Sequence, residues 1–280
     1  MAYIKSTANS IVAIQTLLVD ACQEQGWIWD SVQNQLSKNT MQLQLNILAD
    51  NLRIRAKHKN EGNYSAYVRT GYVNGKTNIV FPAEVHLFIF SQEVYLVIEY
   101  DVSHFQFLSF GISTLNSDYL WLGGTFPEAS SQNNISVSMR ASIGSNTAVS
   151  ALFWAMGAQW GGGTSFIYDG SEWQWKGGQM PGFKVLEPIL KIQPSAWNAE
   201  SALIPIRGYK NHLENKIVLY VDLEHARHIR IDNYEPGAIV MLGSEKWKIL
   251  PWFYKNIEDR DGVTALSTGT FGWAIRYDGP

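Results

Sequence analysis

Hydrophobic residues near the start of the chain follow the spacing of a helix. One apolar face runs along residues 7–25, Asn9 or Ser10 can cap its start, and Gly26 offers a left-handed stop. The pattern predicts a helix whose apolar face lies against a sheet or a neighbouring subunit. The residues of this face are Ile11, Ile14, Leu18 and Ala21, widened by Val12 and Val19.

From residue 41 onward the pattern changes to the two-residue alternation of β-strands. Apolar and polar residues alternate along residues 41–47 and 51–56, which predicts antiparallel strands with one solvent-facing side. Residues 85–90, 94–100 and 105–112 form three further apolar runs and predict a meander. Its middle run is almost continuously apolar, so we expect that strand to be buried on both faces.

The regular alternation is lost between residues 123 and 182. Ser, Asn and Gly dominate residues 130–146, and an apolar run and a Trp-rich stretch follow. This composition predicts an irregular insertion with one short helix at residues 149–156. Beyond it, β-prone runs return and end in a hairpin signal, in which two apolar runs flank the polar turn Gly243-Ser244-Glu245-Lys246.

Together these patterns predict a mainly β protein built from antiparallel sheets in a sandwich or barrel-like arrangement. We divide the chain into an N-terminal helical segment (1–40), an antiparallel β region (41–122), an irregular Gly/Ser/Trp-rich insertion (123–182) and a second antiparallel β region (183–280). The second region is expected to complete the same body as the first. A chain of 280 residues is long enough to bury one large core.

The composition favours a protein that contacts other proteins. Charged residues make up 17% of the chain, below the roughly 25% usual for soluble domains. Aromatic residues make up 13%, and Trp and Tyr are enriched both at interfaces and in β-rich cores. The aromatic content therefore predicts a contact surface, an aromatic core, or both.

Net charge, apolar run length and cysteine content limit the kinds of partner and the cellular environment that we expect. The net charge is −3, and the one basic stretch, residues 53–59, alternates along a predicted strand, which favours a solvated strand face over a nucleic-acid interface. No run reaches the roughly 18–20 apolar residues that a membrane-spanning helix needs. Cys22 is the only cysteine, which suits a reducing cytoplasm. We expect no nucleic-acid partner and no membrane insertion.

Three polar motifs are candidates for a metal site, a calcium loop and a phosphate loop. His225 and His228 have an H-x-x-H spacing that could hold a metal on a helix, but no further ligands converge in the sequence. Residues 259–262 (D-R-D-G) look like part of a calcium loop, although Asp-Gly before a strand is typical of a turn. Residues 161–165 are rich in glycine but lack the Lys-Ser/Thr of a phosphate loop. We therefore predict no catalytic, cofactor or metal residues and no enzyme activity.

Four tryptophans in the insertion are candidates for contact with a partner. They are Trp154, Trp160, Trp173 and Trp175. Exposed Trp side chains can form a subunit contact, a small local core under a long loop, or a platform on which a sugar stacks. We expect a contact surface, and the other two interpretations stay open.

Two segments of the sequence resemble structural proteins of tailed-bacteriophage particles. The stronger resemblance lies in W-K-I-L-P-W-F-Y-K-N (247–256) and G-T-F-G-W-A-I-R-Y-D-G (269–279), and the weaker one includes V-Y-L-V-I-E-Y-D-V-S-H-F (94–105). The resemblance implies a virion component of the tail, baseplate or neck. It also implies assembly in the host cytoplasm, self-association in a ring of three, six or twelve copies, and contacts with other virion proteins.

Two other functions remain as alternatives to a structural role. The first is a lectin-like module that binds a surface glycan or a receptor through the Trp-rich insertion. The second and weaker one is a hydrolase of a cell-surface polymer that uses Glu99 or Asp101.

Overall fold

The structure is a computed structural model, and it describes residues 2–71, 79–127, 134–136, 147–149, 151–153, 165–174, 201–212, 216–262 and 267–279. Within these residues there is one helix, α1 (Ile11–Glu24). The first ten strands are β1 (Ala2–Ala8), β2 (Ile28–Asp30), β3 (Gln35–Lys38), β4 (Met41–Leu48), β5 (Asn51–His58), β6 (Val68–Arg69), β7 (Ala83–Ile89), β8 (Glu93–Tyr100), β9 (His104–Ile112) and β10 (Leu120–Gly124).

Ten further strands follow, and most of them belong to three antiparallel sheets. They are β11 (Phe126–Pro127), β12 (Asn134–Ser136), β13 (Thr147–Val149), β14 (Ser165–Tyr168), β15 (Trp173–Gln174), β16 (Ile204–His212), β17 (Lys216–Arg230), β18 (Ile239–Leu242), β19 (Glu245–Pro251) and β20 (Phe271–Arg276). The central sheet has the order β1-β7-β8-β9-β10-β14-β15. The N-terminal sheet is β11-β6-β5-β4-β3-β2, and the C-terminal sheet is β16-β17-β20-β19-β18. Strands β12 and β13 form a separate parallel pair.

The central sheet is buried on both faces. Along β8, Leu96 and Ile98 belong to the core shared with α1 and the N-terminal sheet. The alternate residues, Tyr95 and Val97, belong to the core shared with the C-terminal sheet. The protein is therefore a layered β sandwich with an N-terminal helix, and the predicted fold class is confirmed, as is the burial of the middle strand of the meander.

Aromatic side chains fill the core between the central and C-terminal sheets. The rings of Trp252 and Trp273 lie 4.3 Å apart, and Trp273 also contacts Tyr95 and Phe107 at 5.7 and 5.0 Å. Aromatic pairs at such distances add about 0.5–1.5 kcal/mol each beyond the area that they bury. Part of the high aromatic content is thus explained by this core.

The helix begins at Ile11, four residues later than the sequence pattern predicts. Residues 7 and 8 are in β1, because residues 2–8 pair along their whole length with β7. Ser10 caps α1 by accepting a hydrogen bond from the backbone of Ala13, and Gly26 takes the left-handed conformation that ends it. Cys22 is fully buried, whereas Val12 is 57% exposed and does not widen the buried face. The described residues contain no helix that is long and apolar enough to cross a membrane.

The N-terminal segment and the central insertion are more regular than predicted. Residues 1–40 hold β1, β2 and β3 besides the helix, so this segment is not simply helical. Within residues 123–182, β14 and β15 extend the central sheet, and Phe166 and Ile167 are buried in its two cores. No helix covers the described part of residues 149–156, because Val149 is in a strand and residues 151–153 form a turn.

The hairpin predicted around residues 243–246 is confirmed, and it belongs to a three-stranded meander. Strands β18, β19 and β20 are neighbours in this order, and the β18–β19 turn is made by Gly243, in a left-handed conformation, and Ser244. Trp247 and Trp273 are buried and pack in the cores of this sheet. Residues 183–192, part of the β-prone runs after the insertion, lie outside the described residues.

Candidate functional site

A pocket of about 250 Å³ lies where the β14–β15 hairpin meets the loop after β5. The aromatic side chains of Tyr64, Tyr168 and Trp173 line one part of it. Its volume is at the lower end for ligand pockets, which suits one small ring or a side chain. The polar lining residues are Glu61, Asn63, Ser171 and Glu172.

Stacked rings hold the aromatic side of the pocket in place. The ring of His58 stacks on Tyr168 at 5.5 Å with an angle of 14° between the planes, and Trp173 contacts the same tyrosine at 5.5 Å. The indole N–H of Trp173 is buried and has no hydrogen-bond acceptor among the described residues. Two ring contacts thus hold the Tyr168 side chain in place at the pocket, and Trp173 is half-buried beside it.

An ion pair fixes the polar side of the pocket. Asp169 accepts hydrogen bonds from the backbone and hydroxyl of Ser171 and from the backbone of Glu172, and its other oxygen binds Lys210 of β16. Burial raises the pKa of the Asp169 carboxyl, but these hydrogen bonds outweigh it and lower the pKa to about 2. The hairpin is therefore tied to the C-terminal sheet.

Only one of the four candidate tryptophans can be located. Trp173 lines the pocket, while Trp154, Trp160 and Trp175 lie outside the described residues. Whether the four side chains form one surface stays a prediction. The pocket instead joins Trp173 to Tyr64, a residue more than a hundred positions earlier in the chain.

A second polar group lies on the face of the central sheet that meets the C-terminal sheet. Glu84 and His86 are on β7, and Glu99 is on β8 directly opposite Glu84. One ligand atom from each residue lies within 4.8 Å of the other two. Neither glutamate is simply a solvated strand-end carboxylate, because His86 lies between them.

Contacts from three strands surround this group. The hydroxyl of Tyr3 is 2.8 Å from Nδ1 of His86, and Lys5 forms an ion pair with Glu84 at 2.9 Å. From the C-terminal sheet, Lys248 reaches the Tyr3 hydroxyl at 3.3 Å and lies over the rings of Tyr3 and Tyr277. Burial raises the pKa of the Tyr3 phenol, so this hydroxyl stays protonated at neutral pH.

The H-x-x-H pair is not a metal site. Both histidines are on the strand β17, and the structure places them in different surroundings. Nδ1 of His225 is 2.9 Å from the buried carboxylate of Glu93, whereas His228 lies beside the Trp252 ring at 5.6 Å. Each histidine has its own packing contact, so the H-x-x-H spacing does not bring the two imidazoles to one metal site.

The D-R-D-G segment is a turn, as the sequence predicts. The backbone N–H of Gly262 donates to the carbonyl of Asp259 at 2.9 Å. Arg260 of this turn binds Asp232, which also accepts two hydrogen bonds from the buried Arg230. The carboxylate of Asp232 is therefore neutralised by two arginines.

The third feature is the free edge of the C-terminal sheet, an edge that pairs with no other strand among the described residues. Strand β18 is the last strand of that sheet and has the sequence Ile-Val-Met-Leu. Ile239, Met241 and Leu242 are 41%, 56% and 54% exposed. An exposed edge strand without a charged residue is prone to pair with another chain.

Comparison with known proteins does not identify the chain. No protein-family model matches it, and no curated protein matches it. The resemblance to phage virion proteins therefore stays a prediction from the sequence.

Sequence reasoning missed two of these arrangements. Tyr64 and Tyr168 were not considered with Trp173, because the pocket depends on contacts between distant segments. Glu84-x-His86 does carry a signal, since residues two apart on a strand share a face. The position of Glu99 opposite Glu84 could be found only from the register of β7 and β8.

His228 should make the stability of the protein depend on pH. Burial lowers its pKa from 6.5 to about 3, so the folded protein holds a neutral imidazole where the unfolded chain takes up a proton. This contribution is complete above pH 6.5 and is lost as the pH falls toward 3, by about 1.4 kcal/mol per pH unit. Urea unfolding of wild type and His228→Phe from pH 8 to 4 measures it. The two stability curves should be parallel above pH 7, and below pH 6.5 the wild-type curve should fall more steeply than that of His228→Phe; parallel curves throughout would contradict the assignment.

Proposed function

We propose that the protein is a non-enzymatic structural component of a tailed-phage particle. In this proposal it self-associates into a ring and contacts neighbouring tail, baseplate or neck proteins. The resemblance of residues 247–256 and 269–279 to virion proteins supports the role. The structural observation that carries it is the apolar free edge of β18.

The two edges of the C-terminal sheet differ in a way that supports directed assembly. Natural edge strands are usually protected by charge, proline or bulges. At the opposite edge, β16 contains Pro205 and two register shifts relative to β17. Strand β18 has regular pairing with β19 and none of these protections. The β16 edge is therefore protected against pairing, whereas the β18 edge is suited to pair with a strand of a partner.

The partner edge determines the symmetry of the assembly. Pairing of β18 with β18 of a second copy is isologous and gives a closed dimer. Pairing of β18 with a different surface of the next copy is heterologous and gives a ring. The ring that we propose therefore requires a second, different surface on each copy.

Purified particles should contain the chain. Virions produced from the genome that encodes it are purified, denatured and analysed by quantitative mass spectrometry. We expect the chain in a fixed ratio to the major capsid protein, with a copy number that fits a ring. Its absence from purified virions would reject the proposal.

A charge on the free edge should prevent self-association. Met241→Lys places a cation on β18, which has to be desolvated when a second chain pairs there. We expect association at least about tenfold weaker, measured by sedimentation velocity over a concentration series. The control is Val102→Lys, which makes the same kind of change at an 80% exposed residue in the β8–β9 turn. Equal association of both variants and wild type would exclude β18 as the contact.

The pocket at Trp173 favours a second candidate function, glycan binding. Sugars bind where aromatic faces stack on the ring and polar side chains take its hydroxyls. The pocket combines three aromatic residues with four polar ones, and all four polar residues are exposed. A virion component could carry this activity in addition to its structural role.

Glycan binding, where present, should depend on Trp173. A glycan array identifies the sugar, and a fluorescence titration of wild type and Trp173→Ala measures its affinity. We expect a loss of about tenfold or more, because truncation of a central aromatic residue removes most of its contact area. The control is Trp29→Ala, which removes another half-buried Trp in β2 of the N-terminal sheet. No binding on the array would reject this candidate and leave the structural role untouched.

A further inference from the structure

We propose that Glu84, His86 and Glu99 form a binding site for a divalent transition-metal cation of the zinc class. The site lies between the central and C-terminal sheets, at the end of their shared core. It is independent of the proposed structural role and of the pocket at Trp173. The sequence alone predicts no metal ligands, because these three residues come together only through the pairing of β7 and β8.

The spacing of the three ligand atoms suits one cation. Nε2 of His86 lies 3.0 Å from Oε1 of Glu84 and 3.7 Å from Oε2 of Glu99. Bonds of about 2.0–2.2 Å to one cation place neighbouring donor atoms about 3.0–3.5 Å apart. Only Glu99 has to move, and its side chain is 35% exposed. A small rotation of this partly exposed glutamate completes the three-ligand set.

The imidazole of His86 provides an independent indication of a ligand. Its side chain is 3% exposed, and Nε2 points at the two carboxylates. Despite the short distances, this nitrogen has no hydrogen bond of acceptable geometry among the described residues. A buried polar atom without a hydrogen bond is costly, and a cation bound between the three groups would satisfy it.

The two glutamates also favour a cation between them. Glu84 and Glu99 are directly opposite on neighbouring antiparallel strands, where two like charges repel each other. Lys5 forms an ion pair with Glu84, and among the described residues the ion-pair partner of Glu99 is His86 at 3.7 Å. A divalent cation would offset both negative charges at once.

Tyr3 holds the imidazole in the required orientation. Its hydroxyl contacts Nδ1 of His86 at 2.8 Å, which leaves Nε2 directed toward the carboxylates. Histidines that bind metals commonly have their second ring nitrogen fixed by such a contact. Tyr3 is therefore a positioning residue and not a ligand.

Two lysines compete with the cation. Lys5 is 52% exposed on its side chain, so it can leave Glu84 at little cost. Lys248 lies on the other side, where burial and the neighbouring Lys5 lower the pKa of its ammonium group. Both lysines reduce the affinity of the site without occupying the position between the three ligand atoms.

The donor set selects the class of metal. One imidazole nitrogen and two carboxylate oxygens suit Zn²⁺ and similar first-row ions better than Mg²⁺, which prefers an all-oxygen environment. Three protein ligands leave at least one position for water. Because both glutamates are about one-third exposed, this position faces solvent.

Metal titration tests the proposal directly. The full chain is freed of metals with a chelator and titrated with Zn²⁺ by calorimetry and with Co²⁺ by visible absorption. We expect one equivalent per chain and no comparable binding of Mg²⁺. His86→Gln should abolish binding, Glu99→Gln should weaken it at least about tenfold, and Tyr3→Phe about 10–100-fold.

Two controls keep the result interpretable. Asp101→Asn neutralises an exposed acid two residues after Glu99 and should leave the affinity unchanged. If His86→Gln does not fold, Glu99→Gln and Tyr3→Phe decide, because both residues are partly exposed. Absence of a one-equivalent binding event, or equal Zn²⁺ affinity of wild type, Glu99→Gln and Tyr3→Phe, would overturn the proposal.

Discussion

The architecture depends on a central sheet whose two faces are both covered by other layers. Along β8, every residue but Glu99 is buried, with Leu96 on one side and Tyr95 on the other. Such a sheet cannot be stable alone, because each face exposes a continuous apolar surface. The helix and the N-terminal sheet cover one face, and the C-terminal sheet covers the other. The three layers therefore depend on one another for stability.

A buried carboxylate fixes how the C-terminal sheet lies on the central sheet. Glu93, at the start of β8, accepts hydrogen bonds from the backbone of Glu224 and His225 and from the hydroxyl of Tyr95, and contacts the His225 ring. Burying a charge is costly unless such donors surround it. Because two of the donors are backbone groups of β17, a shift of that strand along the sheet would remove both of these hydrogen bonds from the buried carboxylate.

The periodicity of apolar residues predicts the elements that bury one face or both. It does not predict contacts between the layers. The helix face and β8 could be predicted because burial leaves a regular pattern there. Strand β1 could not, because its residues before Ala8 are half-buried or exposed and the helix follows only two residues after the strand. The pairing of Glu93 with β17, or of Glu99 with Glu84, depends on strand register, which no local pattern encodes.

The candidate sites lie at the margins of the layers for a physical reason. Inside the sandwich, side chains are committed to packing, and His228 shows the cost of a polar group there, since burial lowers its pKa to about 3. Trp173 is on the last strand of the central sheet, and Met241 is on the last strand of the C-terminal sheet. His86 lies where the core between these two sheets ends. At such margins a side chain can be held by the core and still reach a partner, a sugar or a cation.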